Sequence, residues 1–288
     1  LERLFYFCEM KIAFLGPEAS FTQLAASQIF QNKSFLPQSS ILDCFNAVKN
    51  GEADKAVVPL ENSIEGTVSM TLDYLYQYEN IYIETEVVMP IAHHLMIHPD
   101  NQKFEKILSH PQALAQTFHF RNQNFPNVAV QDYSSTSASA KLVAENPQEN
   151  WAAIANHYAA KLYKLKILHE NIQDFEQNHT KFIVISKKRT TLDLDFDKTS
   201  EKTSLIITLP NDYAGGLHQV LSVFAWRKMN LSKIESRTLK TGLGNYFFFI
   251  NIANQWHPVL SGNALLELES LGVKVKFLGH YNEYMLNE

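Results

Sequence analysis

Two periods alternate along the chain. Unbroken apolar runs of about four to eight residues read as buried strands, and apolar stripes at i, i+3, i+4 and i+7 read as helices. Lys11 to Leu15 is the first run, stopped by Gly16-Pro17. Ser20 and Gln23 then have capping-box spacing, and Phe21, Leu24, Ala25 and Ile29 supply a helical stripe. A helix over Asp43 to Asn50, with Phe45 and Val48 inward, leads through Gly51 to a second buried run at Lys55 to Leu60. Val68, Leu72 and Leu75 resume helical spacing. Ile81 to Ile97 is rich in β-branched residues and broken at Pro90, which predicts two strands crossing between subdomains. Strands are also expected at Ile107–Ser109, Val128–Tyr133, Trp151–Ala155 and Ile183–Ser186. Helices are expected after Pro111, through Lys141 to the stop at Asn146-Pro147, and over Asn156–Leu165. This alternation around an internal crossover predicts two α/β lobes with a cleft between them.

The pattern lapses over Lys187 to Lys202, a charged and Thr/Asp-rich stretch expected to be a linker. Beyond it, strands are predicted at Thr203–Leu209, Leu231–Arg237, Tyr246–Ile252 and Val273–Tyr281, with a turn at Gly242/Gly244. Leu217, Val220, Leu221 and Phe224 mark one helix, and Leu260–Leu271 a second. The order βαββαβ is a ferredoxin-like plan.

Composition narrows the partners. With 288 residues, 45% hydrophobic and 19% charged, the chain can bury cores for two or three globular domains. A net charge of −5 gives no reason to expect nucleic acid or an anionic membrane as partner. Two cysteines, Cys8 and Cys44, imply no disulfide framework and suit a cytoplasmic home. No apolar run reaches transmembrane length. Residues 1–9 lack the features of a signal peptide, and Met10 looks like a natural start, so they are expected to be a misassigned or non-native extension. No Gly-x-Gly-x-x-Gly and no phosphate loop occur, so no nucleotide cofactor is expected.

Candidate chemistry gathers where strands give way to helices. Glu61-Asn62-Ser63-Ile64-Glu65-Gly66 is a loop of hydrogen-bonding side chains before a helix whose N-terminus favours an anion. Ser63 or Thr67 as a plain N-cap is the alternative. Gln112 and Gln116 share a helical face. Hydroxyls at Ser135, Thr136 and Ser137 open a helix, where they are placed to hold a carboxylate. His94 and His98 share a strand face, but no carboxylate or cysteine completes a set, and no metal is expected.

Pro59-Leu-Glu-Asn62-Ser63-Ile-Glu-Gly66 resembles a signature of the prephenate dehydratase family. Four further segments resemble that family in the same order. Gly16-Pro17-Glu18-Ala19-Ser20-Phe21-Thr22 does so with Ala19 for a usual Gly, and Ser109-His110-Pro111-Gln112 and Ser135-Thr136-Ser137 follow. Thr180-Lys181-Phe182 is similar to the family's Thr-Arg-Phe, with Lys181 for Arg, which keeps the charge but loses the planar fork. The resemblance implies a periplasmic-binding-protein-like catalytic domain over 10–186 that converts prephenate to phenylpyruvate, carbon dioxide and water without metal or cofactor. It implies catalytic roles for Thr180, Asn62, Ser63 and Gln116. It implies substrate contacts from Ser20, Ser109, Ser135, Thr136, Ser137, Lys181 and Phe182, with His110 nearby.

After a linker at 187–202, residues 203–283 resemble an ACT domain, the small-molecule sensor fused to enzymes of amino-acid metabolism. Gly215-Gly216-Leu217 is similar to its Gly-Ala-Leu segment and Glu235-Ser236-Arg237-Thr238 to Glu-Ser-Arg-Pro, with Ala214, Gly216 and Thr238 departing from the pattern. The resemblance implies L-phenylalanine as effector, bound near those residues, and a homodimer or homotetramer paired through this domain, with Phe247 and Phe249 as candidates for a shared sheet. Arogenate dehydratase, or an amino-acid sensor with a decayed catalytic lobe, are the alternative functions.

Overall fold

The computed structural model describes residues 10–210, 213–239, 246–253 and 256–286. The first lobe is built from β1 (Lys11–Leu15), α1 (Phe21–Ile29), β2 (Ser34–Gln38), α2 (Ile41–Asn50), β3 (Lys55–Asn62), β4 (Gly66–Thr67), α3 (Ser69–Gln77) and β5 (Tyr82–Pro90). β1 lies parallel to both β2 and β3 and is buried through Ile12, Ala13 and Phe14. α2 starts two residues before the expected Asp43 because Ser40 is the cap: its hydroxyl accepts from the Asp43 N–H at 3.1 Å. Gly51, left-handed at φ 78°, ends that helix, whose face of Ile41, Cys44, Phe45 and Val48 is buried.

The chain then crosses to a second lobe of β6 (His94–Ile97), β7 (Lys106–Ser109), α4 (Pro111–Ala115), α5 (Phe118–Asn124), β8 (Ala129–Asp132), α6 (Thr136–Glu145), β9 (Trp151–Ala155), α7 (His157–Tyr163) and β10 (Lys166–His169). Its five strands run in the order β10-β6-β9-β7-β8. Ala140 and Val143 of α6 pack on Met96, Leu108 and Ala153 of that sheet. The chain returns to the first lobe as β11 (His179–Ser186), antiparallel to β3 and β5. Two crossings, after Pro90 and before His179, therefore join the lobes. This is the two-lobed α/β architecture expected from the sequence.

Residues 197–285 complete a βαββαβ unit: β12 (Asp197–Thr208), α8 (Gly216–Ala225), β13 (Leu231–Thr238), β14 (Tyr246–Ile252), α9 (Pro258–Ser270) and β15 (Lys274–Met285). Strand order β13-β14-β12-β15 is ferredoxin-like, with α8 and α9 burying Val220, Phe224, Ala264 and Leu268 against Leu205, Ile207 and Ile250. The expected linker is loop only as far as Phe196, since β12 already begins at Asp197. Its first residues have no apolar alternation and are specified by their partner, the end of β15. The expected turn at Gly242/Gly244 and residues 1–9 lie outside the described residues.

The two sheets of the first lobe and the C-terminal unit are continuous, because β15 pairs in parallel with β5 from Asn282↔Thr85 to Met285↔Val88. A Cβ at Gly279 would lie 2.3 Å from the Ile83 carbonyl oxygen, so only glycine permits that approach. The expectation that Phe247 and Phe249 join a sheet shared between copies is corrected. Both belong to the core beneath α2 and α3, and Phe247 stacks on Tyr76 at 4.7 Å. Their apolar face covers the first lobe of their own chain.

Candidate active site

A cavity of about 440 Å³ opens between the lobes where the crossings meet. The first lobe contributes Gly16, Ser20 to Thr22, Pro59, Asn62 and Glu65 to Val68. The second contributes His110, Gln112, Ala113, Gln116 and Ser134 to Thr136. The crossings and β11 add Ile91, His93, Asn178, Thr180 and Phe182.

Asn62 organises the polar floor. Its Oδ1 accepts from the backbone N–H groups of Ile64 and Glu65, both at 3.0 Å, which fixes the orientation of the amide. Its Nδ2 therefore donates to Thr180 Oγ1 at 2.9 Å, Asn178 Oδ1 at 2.9 Å and the His179 carbonyl at 3.2 Å. Asn178 Nδ2 in turn donates to Gln116 Oε1 at 3.0 Å, and His93 Nε2 lies 3.0 Å from the same oxygen. Already accepting from Asn178, that oxygen takes the His93 N–H as well. Burial pushes His93 down to about 4, so the ring is neutral. The chain of amides is directed from one end to the other. It leaves Thr180 as an acceptor with its own hydrogen still to give, and the buried Gln116 Nε2 without a protein partner.

The adjoining electrostatics come from backbone rather than from cations. No Lys or Arg is among the described residues lining the cavity, and Glu65 is the single carboxylate. The N-termini of α1 and α6, nine and ten residues long, face it through Ser20–Thr22 and Ser135–Thr136. His110 caps α4, its Nδ1 accepting from the Gln112 N–H at 3.3 Å. Nε2 is then the nitrogen left for the cavity.

Of the residues singled out in the sequence, Thr180, Asn62, Gln116, Ser20, Ser135, Thr136 and Phe182 line this cavity. Four others do not. Ser63 donates to the Gln177 carbonyl at 3.0 Å and accepts from the His179 N–H at 2.9 Å, pinning the start of β11. Neither Ser63 nor Thr67 caps a helix: α3 begins at Ser69, with Val68 at its cap position and no side-chain cap bond. The helix N-terminus expected at Ser63 is thus displaced by the β3–β4 hairpin. Ser109 is fully buried and donates to the Ile154 carbonyl at 2.7 Å. Ser137 donates to the Glu18 carbonyl across the lobes. Lys181 points away to Glu61 at 3.5 Å, because it neighbours Thr180 on a strand and takes the opposite face.

The effector candidates divide. Gly215, left-handed at φ 88°, caps α8; a Cβ on Gly216 would come within 3.2 Å of Leu209 and Tyr213; Leu217 packs on the C-terminal core. Glu235 instead accepts from Thr67 Oγ1 at 3.2 Å, and Arg237 forks onto Asp73 at 3.1–3.3 Å, both toward the first lobe. Ser236 is exposed between them. Sequence reasoning missed His93 and Asn178 as members of the network. The available signal was their position at the two chain crossings, beside Pro90 and Thr180.

The prephenate dehydratase family model matches residues 12–190. A prephenate dehydratase of Bacillus subtilis is 44% identical, covering 96% of this chain and 100% of its own. Among solved structures, the prephenate dehydratase of Arthrobacter aurescens in complex with L-Phe superposes with a TM-score of 0.82 at 32% identity, over 94% of this chain and 90% of its own. GqqA, described as a quorum quenching acylase, superposes at 0.80 with 25% identity over 95% and 98% of the two chains. One architecture thus carries two described activities, so the fold does not choose between them. Sequence does: matched by the family model and by a 44%-identical relative along that relative's whole length, the chain belongs to the prephenate dehydratase family, carbon–oxygen hydro-lyases of aromatic amino-acid biosynthesis.

Proposed function

We propose that the cleft binds prephenate between the helix N-termini of α1 and α6 and that Thr180 donates a hydrogen bond to the departing ring hydroxyl. The ring carboxylate leaves as carbon dioxide and its bonding electrons enter the ring. The C–O bond breaks with its pair on the leaving oxygen, which Thr180 steadies as a hydrogen-bond donor and which takes its proton from solvent to become water, Thr180 keeping its own. Aromatisation supplies the driving force, so the protein's task is orientation and stabilisation of charge on the leaving oxygen. The observation that carries this reading is the directed network from Asn62, which frees donors at Thr180 and Gln116 on one cavity wall.

The C-terminal unit is, on this reading, an ACT domain through which L-phenylalanine restrains turnover, in a homodimer or homotetramer. The L-Phe bound to the Arthrobacter relative supports it. The chain works in the cytoplasm. The composition supports this, with two cysteines and no disulfide framework, Cys44 being a buried free thiol. No helix among the described residues is long and apolar enough to cross a membrane. Arogenate is the competing substrate because Glu65, the one carboxylate among the described lining residues, would suit its ammonium group.

The test is phenylpyruvate formation from prephenate, with and without L-phenylalanine, beside phenylalanine formation from arogenate. Turnover of prephenate suppressed by L-phenylalanine supports both halves. Preference for arogenate would transfer the reaction, and inertness toward both would refute the enzyme reading.

A further inference from the structure

The rung of the β-ladder beside Asn62 is held from the other unit. In register, Thr180, Asn62 and Gly66 form one rung across β11, β3 and β4, and Lys181, Glu61 and Thr67 form the next. β4 has only two residues, so its own ladder holds the cavity wall at Glu65–Thr67 weakly. Lys233, on β13 and nearly buried, reaches into that second rung. Its Nζ lies 2.8 Å from Glu61 Oε1 and donates to Thr67 Oγ1 at 2.7 Å. Thr67 passes its own hydrogen to Glu235. Lys181, where the family motif carries Arg, meets Glu61 through one long contact of 3.5 Å. Lys233 is therefore the nearer cation, and burial of the Glu61 carboxyl is outweighed by Lys233 and then Lys181.

We propose that Lys233 is a positioning residue for the reaction: it closes the β3–β4 hairpin from the C-terminal unit and so sets the rung on which Asn62 orients Thr180. Lys233 does not touch substrate. It takes over, from a different strand, the grip on Glu61 that a forked Arg at position 181 would provide. The proposal rests on the roles given above to Asn62 and Thr180. It makes β13, which also carries Glu235 and Arg237, the element through which the C-terminal unit acts on the cleft.

The test compares Lys233→Ala, Lys233→Arg and the double variant Lys181→Arg/Lys233→Ala in the full chain. Readouts are kcat and KM for prephenate and hydrogen–deuterium exchange over residues 61–67. Lys233→Ala should lower kcat about tenfold with KM changed less than about threefold, the split expected when geometry rather than binding is lost. Exchange over 61–67 should rise. Lys233→Arg should restore both, and Lys181→Arg should recover kcat to within about threefold of wild type by gripping Glu61 with a planar fork. Wild-type kcat and unchanged exchange in Lys233→Ala would overturn the proposal, as would a loss that neither arginine repairs. If the wild-type chain leaves prephenate untouched, the reaction assignment falls while the exchange measurement still decides the clamp.

Discussion

Replacing Asn62 by Asp changes one atom and inverts the logic of the network. One carboxylate oxygen keeps the Ile64 and Glu65 N–H donors at 3.0 Å. The other takes the place of Nδ2, facing three oxygens at 2.9–3.2 Å: Thr180 Oγ1, Asn178 Oδ1 and the His179 carbonyl. The carbonyl has no hydrogen to give, and Asn178 can turn its amide only by abandoning Gln116. Thr180 is left to donate, and the hydrogen proposed for the leaving hydroxyl is then engaged. A positioned donor to developing charge is worth about 10²–10³ in rate, or ~3–4 kcal/mol. Asn62→Ala leaves the Thr180 hydrogen free but unoriented and should sit near the lower figure, about 10². Asn62→Asp should fall at least about tenfold below Asn62→Ala, since an added negative charge also opposes a dianionic substrate. Its activity should rise as pH falls through the introduced carboxyl's pKa, because a protonated acid can again donate to Thr180. The assay is kcat for phenylpyruvate formation across pH, with thermal midpoints showing that each variant is folded. Asn62→Asp within tenfold of wild type, or more active than Asn62→Ala at neutral pH, would refute the reasoning.

Three further outcomes follow from named contacts. Thr180→Val should lower kcat by about 10²–10³ with little change in KM, whereas Thr180→Ser keeps measurable turnover; near-normal kcat in the valine variant removes Thr180 from the chemistry. Lys202, buried on β12, pairs with Glu86 of β5 at 2.8 Å and with Glu283 of the intervening β15. Lys202→Met should cost about 3–5 kcal/mol in urea unfolding by taking the buried cation from the Glu283 carboxylate, and a loss below about 1 kcal/mol would show the cluster is solvated. Burial, with Lys202 opposing it and Glu283 adding to it, pushes Glu86 up from 4.5 to about 7. The folded state then holds that proton more tightly than the unfolded chain. The stabilisation is full below the unfolded carboxyl's value of about 4.5 and is lost as pH rises through about 7. Glu86→Gln should flatten the stability profile over that window, and a wild-type profile already flat there would contradict the assignment.

The sequence was most legible where apolar period and backbone chemistry agree. β1, β9, β14 and the cap of α1 sit where Lys11–Leu15, Trp151–Ala155, Tyr246–Ile252 and Ser20/Gln23 placed them. Elements specified by a distant partner were illegible. β2 carries Pro37 and alternates only weakly, the start of β12 is Asp197-Lys-Thr-Ser-Glu, and β10 is four residues on an edge. The same divide runs through the site. Motif residues with polar side chains were found, but which of them turn inward was not. Ser63, Ser109 and Ser137 are spent on carbonyls of other segments, and no local pattern reveals such partners. Asn178 and His93 were passed over because their role arises only when two chain crossings meet.

The proposed chemistry explains why the cations near this cleft face away from it. Prephenate brings two negative charges, yet no Lys or Arg is among the described lining residues. As carbon dioxide departs, charge drains from the ring carboxylate into the ring and toward the leaving oxygen. A fixed ammonium beside that carboxylate would hold the ground state more tightly than the transition state and slow the step. Helix N-termini carry about half a charge each, enough to seat a carboxylate without clamping it. Charge gathers instead on the leaving oxygen, where Thr180 and Gln116 present neutral donors that strengthen as it develops. Lys181 and Lys233 both turn to Glu61, one rung away, where their charge fixes the wall. Position 181 thus serves a carboxylate of the protein rather than of the substrate. Lys181 and Lys233 share that one carboxylate.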